Sequence, residues 1–314
     1  MSRPFFYCSE LARASRELSF GTASVGRLWL LVEYREAWGA HALADSALSA
    51  PLKRHLEKLC QSIPRMRLLF IKQERMNARP LRCFLVRCRE LAPSIEQFEL
   101  DSYDDLLRLD ANALADGASP AGSVKMSTPL YLVCTHGKRD KCCAKFGYAL
   151  YKSLHAGEAD GGVAAGANVW QSSHVGGDRF AANLVCFPHG LFYAHVTEEA
   201  GGRIMEEYER GQLVLEGYRG RACYSYPVQA AEFFIRAETN LTALTALRYR
   251  RHERTADNSW RVAFVETHAP TDAPARVHEA EIAARPSEFH NYITCQSAEQ
   301  RPVIQYALEN YRVT

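Results

Sequence analysis

Soft side chains that could ligate a transition metal gather between residues 131 and 196. Cys134 ends a predicted strand that begins at residue 129, and Cys142 and Cys143 lie where the next helix is predicted to begin. His174 follows a second predicted strand. Thiol and imidazole side chains at strand ends and helix starts are typical of a metal or cluster site built by loops. The spacing therefore predicts a metal centre in this stretch.

A glycine turn lies in the second half of the stretch. His174 and Asp178 stand four residues apart across Gly176 and Gly177. Glycine lets the backbone approach a ligand closely, so we predict that both glycines line the bound group. Arg139 and Asp140, which follow Cys134 in the loop before the helix, are predicted to donate to the same group or to brace the loop.

Two longer blocks carry a resemblance to a known family. They are CTHGKRDKCCA, which begins at Cys134, and SSHVGGDRFAANLVCFPHG, which begins at Ser172. Both resemble the sucrase/ferredoxin-like family, a branch of the thioredoxin-like ferredoxins. In fungal members of that branch, two cysteines and two histidines of an H-x-x-x-H turn hold a [2Fe-2S] cluster. The resemblance covers most of the chain.

The resemblance implies the ligands position by position. Cys134 and Cys143 match the two cysteine ligands, and His174 matches the first histidine. Asp178 stands where those members have the second histidine, and Ser172 stands where many bacterial relatives have a cysteine. A carboxylate can bind iron, but it is a harder ligand than imidazole. The implied metal ligands are therefore Cys134, Cys143, His174 and Asp178.

The fourth ligand keeps alternatives, because Asp178 departs from the histidine pattern. Cys142 and Cys186 are the other candidates, and Asp178 could instead form an ion pair with the adjacent Arg179. The remaining cysteines are expected to act as small hydrophobic side chains or to be inert. They are Cys8, Cys60, Cys83, Cys88, Cys223 and Cys295, of which Cys88 and Cys295 end predicted strands.

Composition narrows the functional class. The 38 basic and 36 acidic residues give a formal charge of +2, which provides no electrostatic reason to expect nucleic acid or acidic lipid as a partner. No apolar run approaches the roughly 20 residues of a spanning helix, and the start of the chain lacks the apolar core of a signal peptide. Ten cysteines without such a signal indicate thiols or metal ligands in a reducing cytoplasm.

Hydrophobic periodicity predicts an α/β fold of thioredoxin-like helix-on-sheet layers, two of them, with a C-terminal α+β extension. The order strand, helix, strand, strand, helix occurs once in the first hundred residues and recurs between residues 129 and 211. The predicted parts are an N-terminal layer without a ligand loop (1–115), a ferredoxin domain (125–225) and a C-terminal helix with a small antiparallel sheet (226–314). Their first boundary is placed in the small, polar stretch 111–128.

The predicted elements follow the same periodicity. Strands are predicted at 27–33, 68–72, 83–87, 129–134, 260–265, 275–283 and 292–295, with a short edge segment at 99–100. Helices are predicted at 50–62, 103–109, 145–155, 198–210, 229–251 and 306–311.

The predicted function is one-electron transfer by a [2Fe-2S] protein, with a reductase and an acceptor as redox partners. The sequence contains no C-x-x-C pair, G-x-S-x-G elbow, Walker loop or H-E-x-x-H motif, and it offers no distinctive carboxylate pair for a glycosidase. The alternative is a family member without a cluster that acts as a binding or scaffold module.

Overall fold

The computed structural model describes residues 5–74, 80–159, 168–267 and 275–314. The helices in these residues are α1 (Cys8–Ala14), α2 (Ala50–Ser62), α3 (Ala111–Ala115), α4 (Tyr148–Ala159), α5 (Glu198–Glu209) and α6 (Tyr226–Thr239). Short 3-10 segments span Tyr103–Arg108 and Asp178–Phe180, and a π-helical turn spans Cys143–Gly147.

The strands form a large and a small sheet. They are β1 (Leu28–Glu33), β2 (Met66–Lys72), β3 (Leu81–Arg87), β4 (Ser94–Leu100), β5 (Val124–Met126), β6 (Leu130–Cys134), β7 (Asn168–Ser172), β8 (Leu184–Phe187), β9 (Leu191–Tyr193), β10 (Tyr218–Arg221), β11 (Leu247–Ala256), β12 (Ser259–Glu266), β13 (Val277–Asn291) and β14 (Arg301–Val313). The large sheet has the order β10-β9-β8-β6-β7-β2-β1-β3-β4-β5, and the small one has the order β11-β12-β13-β14. The predicted α/β class is confirmed.

The large sheet consists of two halves that repeat one strand order. In the first half β1 pairs in parallel with β2 and antiparallel with β3, and β3 pairs with β4. In the second half β6, β7, β8 and β9 repeat these pairings. An antiparallel pair of β2 and β7, with Ile71 opposite Ser172, joins the halves. One sheet therefore runs through both predicted layers, and the domain boundary between them stays a prediction.

Alternation along β6 sends its side chains to opposite faces of this sheet. Tyr131 and Val133 pack into the core under α4 and α5, whereas Leu132 and Cys134 lie in the core on the side of α6 and the small sheet. A strand covered on both faces needs an almost continuous apolar run, and the sequence LYLVC provides one. Cys134 is therefore the last residue of a strand that is buried on both faces.

The C-terminal part differs from its predicted elements in three places. The helix predicted over 229–251 ends at Thr239, and residues 247–256 form β11 instead. The helix predicted at 306–311 lies within β14, and residues 292–295 are not a strand. The other predicted helices and strands lie at their predicted places within a few residues, with three exceptions. β4 is longer than the predicted edge segment at 99–100, β13 continues eight residues past the predicted strand at 275–283, and the helix predicted at 103–109 is a 3-10 segment.

Local chemistry explains where α6 ends. Asn240 adopts a left-handed conformation with φ 56°, which asparagine tolerates better than most residues. The buried Arg236 then donates hydrogen bonds to the carbonyl oxygens of Leu241 and Ala243, just beyond the helix end. These contacts hold the chain in a turn and direct it into β11.

Candidate metal centre

The cysteine loop connects β6 to α4. Cys134 ends β6, and the π-helical turn that begins at Cys143 leads into α4. The amide of Cys143 donates to the carbonyl of Asp140 at 3.2 Å, and the amide of Thr135 donates to the carbonyl of Ser172 at the end of β7. The ends of the adjacent parallel strands β6 and β7 therefore lie together, close to the start of α4.

Gly147 is essential to how this turn passes the end of β6. A Cβ built on Gly147 would lie 2.0 Å from the carbonyl oxygen of Cys134. We expect Gly147→Ala to push the turn away from the strand and to reduce the free energy of unfolding by about 1–3 kcal/mol, the usual cost of overpacking. Chemical denaturation measures this loss.

Gly202 provides the matched control for that substitution. It lies on α5 with no atom within 4 Å of the position its Cβ would take. Gly202→Ala is expected to be neutral or to stabilise the protein by about 0.4–1 kcal/mol, because alanine restricts the unfolded chain more than glycine does. Equal destabilisation by both substitutions would contradict the role given to Gly147.

The four implied ligands form a ring of neighbouring side chains. Sγ of Cys134 lies 3.5 Å from Sγ of Cys143, which lies 3.6 Å from Oδ1 of Asp178. That oxygen lies 2.9 Å from Nδ1 of His174, and the imidazole of His174 in turn interacts with the Cys134 sulfur. The thiols and the Asp178 side chain are buried, and the His174 side chain is 29% exposed. Residues 134, 143, 174 and 178, far apart in sequence, are thus brought together.

The glycine turn positions the second pair of this ring. Gly176 and Gly177 have φ values of 94° and 81°, a region that favours glycine. A Cβ on Gly177 would lie 2.4 Å from the guanidinium of Arg219, which is buried and donates to the carbonyl of Gly176. The amide side chain of Asn183 donates to the carbonyl of Gly177 at 2.9 Å. The glycines therefore let the turn fold tightly around Arg219, and their place in the lining of a bound group stays a prediction.

Charge is redistributed among the ring residues. The hydrogen bond between the two thiols lowers the pKa of Cys134 well below its usual range and outweighs the effect of burial, which would raise it. The same contact raises the pKa of Cys143, as does burial. Burial lowers the pKa of His174, but the Asp178 carboxylate and the Cys134 sulfur outweigh it and bring the value to about 9. The geometry thus favours a Cys134 thiolate beside a cationic His174 imidazole, and a bound metal ion would take the place of the imidazole proton.

The structure separates the alternatives for the fourth ligand. Arg179 does not pair with Asp178 through its Nε, which lies 2.5 Å from Oε1 of Glu17. Cys186 lies in the core under α4 and α5, on the opposite face of the sheet from Cys134. Cys142 lies 3.6 Å from Sγ of Cys8, in a different group of side chains. Among the candidates, Asp178 is the one whose side chain contacts Cys143 and His174.

Among the described contacts, neither the Asp140 carboxylate nor the Arg139 side chain forms a hydrogen bond or ion pair with a ring side chain, although the Asp140 carbonyl accepts the amide of Cys143. The Asp140 carboxylate accepts hydrogen bonds from the amides of Cys142 and Cys295, and it lies against Cys8. The carbonyl of Arg139 accepts a hydrogen bond from the side chain of Gln296. The Asp140 carboxylate therefore connects the cysteine loop to the C-terminal part.

His136 is a neighbour of the ring that the sequence analysis did not single out. Its Nδ1 accepts the amide hydrogen of His174 at 3.1 Å, so Nε2 carries the proton and donates it to the carbonyl of Gly39 at 2.6 Å. Burial lowers the pKa of His136, which favours this neutral tautomer. His136 thus fixes the backbone of His174, and the H-G pair after Cys134 was the signal that placed it in the same loop.

Comparison with known proteins identifies the family. The chain matches the sucrase/ferredoxin-like family over residues 19–220, well over half of its length. The chain belongs to this family. The matched range contains all four ring residues and almost the whole of the large sheet.

Two curated relatives of this sucrase/ferredoxin-like chain are fungal proteins, each named "Altered inheritance of mitochondria protein 32". The one from Meyerozyma guilliermondii is 30% identical over 95 residues, which cover 29% of this chain and 34% of the relative. The one from Debaryomyces hansenii is 32% identical over 97 residues, which cover 29% of this chain and 35% of the relative. The matches thus span about a third of each relative. No solved structure matches the chain.

The residues of the ring fit the iron–sulfur cluster that the family resemblance implies. The two thiols form one donor pair and His174 with Asp178 forms the other, which suits two irons with two protein ligands each. Nδ1 of His174 is buried and, among the described residues, has no aligned hydrogen-bond partner despite its closeness to Asp178. A buried imidazole nitrogen in that state, beside thiols and a carboxylate, is suited to metal ligation.

Among the described residues, no helix combines the length and apolar character that crossing a membrane requires.

Proposed function

We propose that this chain is a one-electron carrier whose [2Fe-2S] cluster is held by Cys134 and Cys143 on one iron and by His174 and Asp178 on the other. The observation that carries the proposal is the ring itself, in which a pair of thiols faces an imidazole–carboxylate pair. The proposal includes a thioredoxin-like character for each half of the large sheet. All ten cysteines are free thiols, which fits a reducing compartment, and we place the protein in the cytoplasm.

The four side chains of the ring differ in their exposure to solvent, which indicates different roles. Cys134 and Cys143 are buried beneath the large sheet's end, where water cannot compete for their sulfurs. His174 is the most exposed of the four side chains, so we expect electrons to enter and leave at its edge. When bound, the cluster supplies the one-electron couple, and an imidazole ligand makes it less negative than thiolate would, which eases reduction.

A basic surface cavity beside His174 suggests the chemistry of the redox partner. The cavity is lined by Trp38 and His136 and rimmed by Lys72, Lys138 and Lys141, and no acidic residue is among its described lining residues. His136, which lines this cavity, accepts a hydrogen bond from the backbone amide of His174. Opposite charges steer two proteins together and fix their orientation. We therefore propose that the partner docks an acidic patch over this cavity.

The test of the proposed function is the metal content of the intact protein purified without oxygen. The wild-type protein is expected to be brown, with about two irons and two sulfides per chain. Cys134→Ser and Cys143→Ser are expected to lose the iron, because a serine hydroxyl replaces thiolate poorly on a cluster. Elemental analysis and visible absorption measure both results.

Cys60→Ser and Cys223→Ser are the controls, since neither side chain contacts the ring. Both proteins should keep the wild-type iron content. A colourless wild-type protein without iron would reject the carrier and favour the cluster-free binding module. Equal loss of iron in all four variants would show general unfolding and leave the ligand assignment without support.

A further inference from the structure

Three cysteines and an aspartate form a second cluster beside the proposed iron site. Sγ of Cys142 lies 3.6 Å from Sγ of Cys8 and 3.3 Å from Sγ of Cys295, and the Cys8 and Cys295 sulfurs are 3.5 Å apart. The Asp140 carboxylate completes the group, with Oδ2 at 3.7 Å from the Cys8 sulfur. One donor atom from each of these four side chains lies within 4.8 Å of all the others.

The four side chains come from distant parts of the chain. Cys8 is the first residue of α1, Asp140 and Cys142 belong to the loop after β6, and Cys295 lies in the connection between β13 and β14. Cys8 and Cys295 are separated by 287 residues. Cys8, Asp140 and Cys142 are buried and Cys295 is partly exposed, which gives an ion a way in from the Cys295 side. The cluster thus connects the start of the chain to its C-terminal part.

The distances match those of a tetrahedral zinc site. Zinc–sulfur bonds of about 2.3 Å place two sulfurs of a tetrahedron roughly 3.8 Å apart. The three observed sulfur–sulfur distances are equal to within a few tenths of an ångström and only slightly shorter than this value. A zinc–oxygen bond of about 2.1 Å would place the carboxylate oxygen roughly 3.6 Å from each sulfur. The Cys8–Asp140 distance agrees with this value.

Backbone amides are arranged to support anionic donors at this place. The amide of Cys8 donates to Sγ of Cys295, and the amide of Ser9 donates to Sγ of Cys142, each at 3.4 Å. The amides of Cys142 and Cys295 donate to the two oxygens of Asp140 at 2.8 and 2.7 Å. Such hydrogen bonds orient metal ligands and stabilise their negative charge. Each amide belongs to a donor residue or its neighbour, so the backbone holds the four donors in place.

A disulfide explains the cluster less well than a metal does. A disulfide joins two sulfurs and leaves the third unpaired, and it requires one pair to lie much closer than the others. Here each sulfur has two neighbours at nearly the same distance. Three soft thiolates and one carboxylate are, in contrast, a donor set that zinc accepts.

We propose that Cys8, Asp140, Cys142 and Cys295 bind one structural zinc ion, which fastens α1 and the β13–β14 connection to the cysteine loop. The zinc site is distinct from the proposed iron site, since the two share no side chain, although Cys142 and Cys143 are adjacent in the same loop. Its four protein ligands leave no open position, as in zinc sites that stabilise a fold without catalysing a reaction.

Zinc and iron are measured together in the intact chain after purification under reducing conditions. The wild-type protein is expected to contain about one zinc per chain, and Cys295→Ser is expected to lose the zinc while retaining its iron. Cys134→Ser should show the reverse. Cys60→Ser is the matched control, because Cys60 is as partly exposed as Cys295 and lies outside both clusters, and it should retain both metals.

A second measurement uses the wild-type protein, in case Cys295→Ser does not fold. Metal-free protein is alkylated with iodoacetamide in the presence and absence of Zn²⁺, and each modified cysteine is located by mass spectrometry. Zn²⁺ should slow alkylation of Cys295 at least tenfold, a protection expected of a bound thiolate, and leave Cys60 unaffected. Equal rates at Cys295 with and without Zn²⁺, or equal zinc content in Cys295→Ser and Cys60→Ser, would overturn the zinc site.

Discussion

Glu232→Ala is expected to reduce the free energy of unfolding by about 3–5 kcal/mol, the usual cost of removing one partner from a buried ion pair. Oε1 of Glu232 lies 2.9 Å from Nε of Arg221 and 3.1 Å from Nη2 of Arg236, and its Oε2 accepts a hydrogen bond from Tyr218. All three charged side chains are at most 3% exposed. Without the carboxylate, two guanidinium groups would stay buried with no counter-ion among the described residues.

Glu238→Ala, on the exposed side of the same helix, is the control for this substitution and should change stability by less than about 0.5 kcal/mol. Urea denaturation of both variants measures the difference. Equal effects would contradict the role of the buried carboxylate.

The same network predicts how stability depends on acid. Burial raises the pKa of Glu232, but Arg221 and Arg236 outweigh it and lower the folded-state pKa below its usual range. A depressed folded-state pKa means that the contribution is complete above the pKa of the unfolded chain and is lost as pH falls through the folded-state value. Wild-type stability should therefore fall in acid more steeply than that of Glu232→Ala. Parallel curves for the two proteins would contradict the assignment.

The large sheet could be predicted because its strands are local signals. The runs that became β1 and β6 are short, apolar and bounded by turn residues, and α2 begins with Pro51 in its first turn after the capping Ser49. The order of elements in the two halves follows from those signals. That β2 and β7 join the halves into one sheet could not be read from sequence, because the pairing involves two residue pairs from distant parts of the chain.

The last strand of the C-terminal sheet was mispredicted because pairing outweighed local preference. The segment Tyr306–Tyr311 reads YALENY, which contains strong helix formers, yet it lies in β14. There, the long neighbour β13 pairs with it from His278 opposite Val313 to Asn291 opposite Arg301. A partner strand of that length pairs one edge of β14 along nearly all of its length, and its existence cannot be inferred from the segment itself.

The residues of the ring could be predicted from the sequence, whereas those of the proposed zinc site could not. Cys134, Cys143, His174 and Asp178 lie in two recognisable blocks, and the structure brings them into contact. Cys8, near the start of the chain, was expected to be inert, and Cys295 was expected to end a strand. Their meeting with Cys142 depends on the packing of α1 and of the β13–β14 connection against the cysteine loop. No local spacing encodes a contact across most of the chain.

Asp178→His is expected to raise the reduction potential of the proposed cluster, on the order of 100 mV or more. The reason is charge: a neutral imidazole replaces an anionic carboxylate, so the cluster accepts an electron more readily. The Asp178 side chain is 3% exposed and lies between the Cys143 sulfur and the His174 ring, where a ligand acts directly on the iron. Voltammetry of the wild-type and variant proteins at one pH measures the shift.

Two further variants decide what the shift means. Asp178→Asn has nearly the same shape but a neutral amide that binds iron poorly, so it should lose iron instead of shifting the potential. Asp101→His makes the same chemical change at an exposed position outside the ring and should leave iron content and potential unchanged. If Asp178→His and Asp178→Asn both retain wild-type iron and potential, Asp178 is not a ligand. The cluster would then be bound by Cys134, Cys143 and His174, and its fourth position would be open to solvent on the exposed side of His174. Cys142 and Cys186 would not fill that position, because Cys142 lies in the second cluster and Cys186 lies on the opposite face of the sheet.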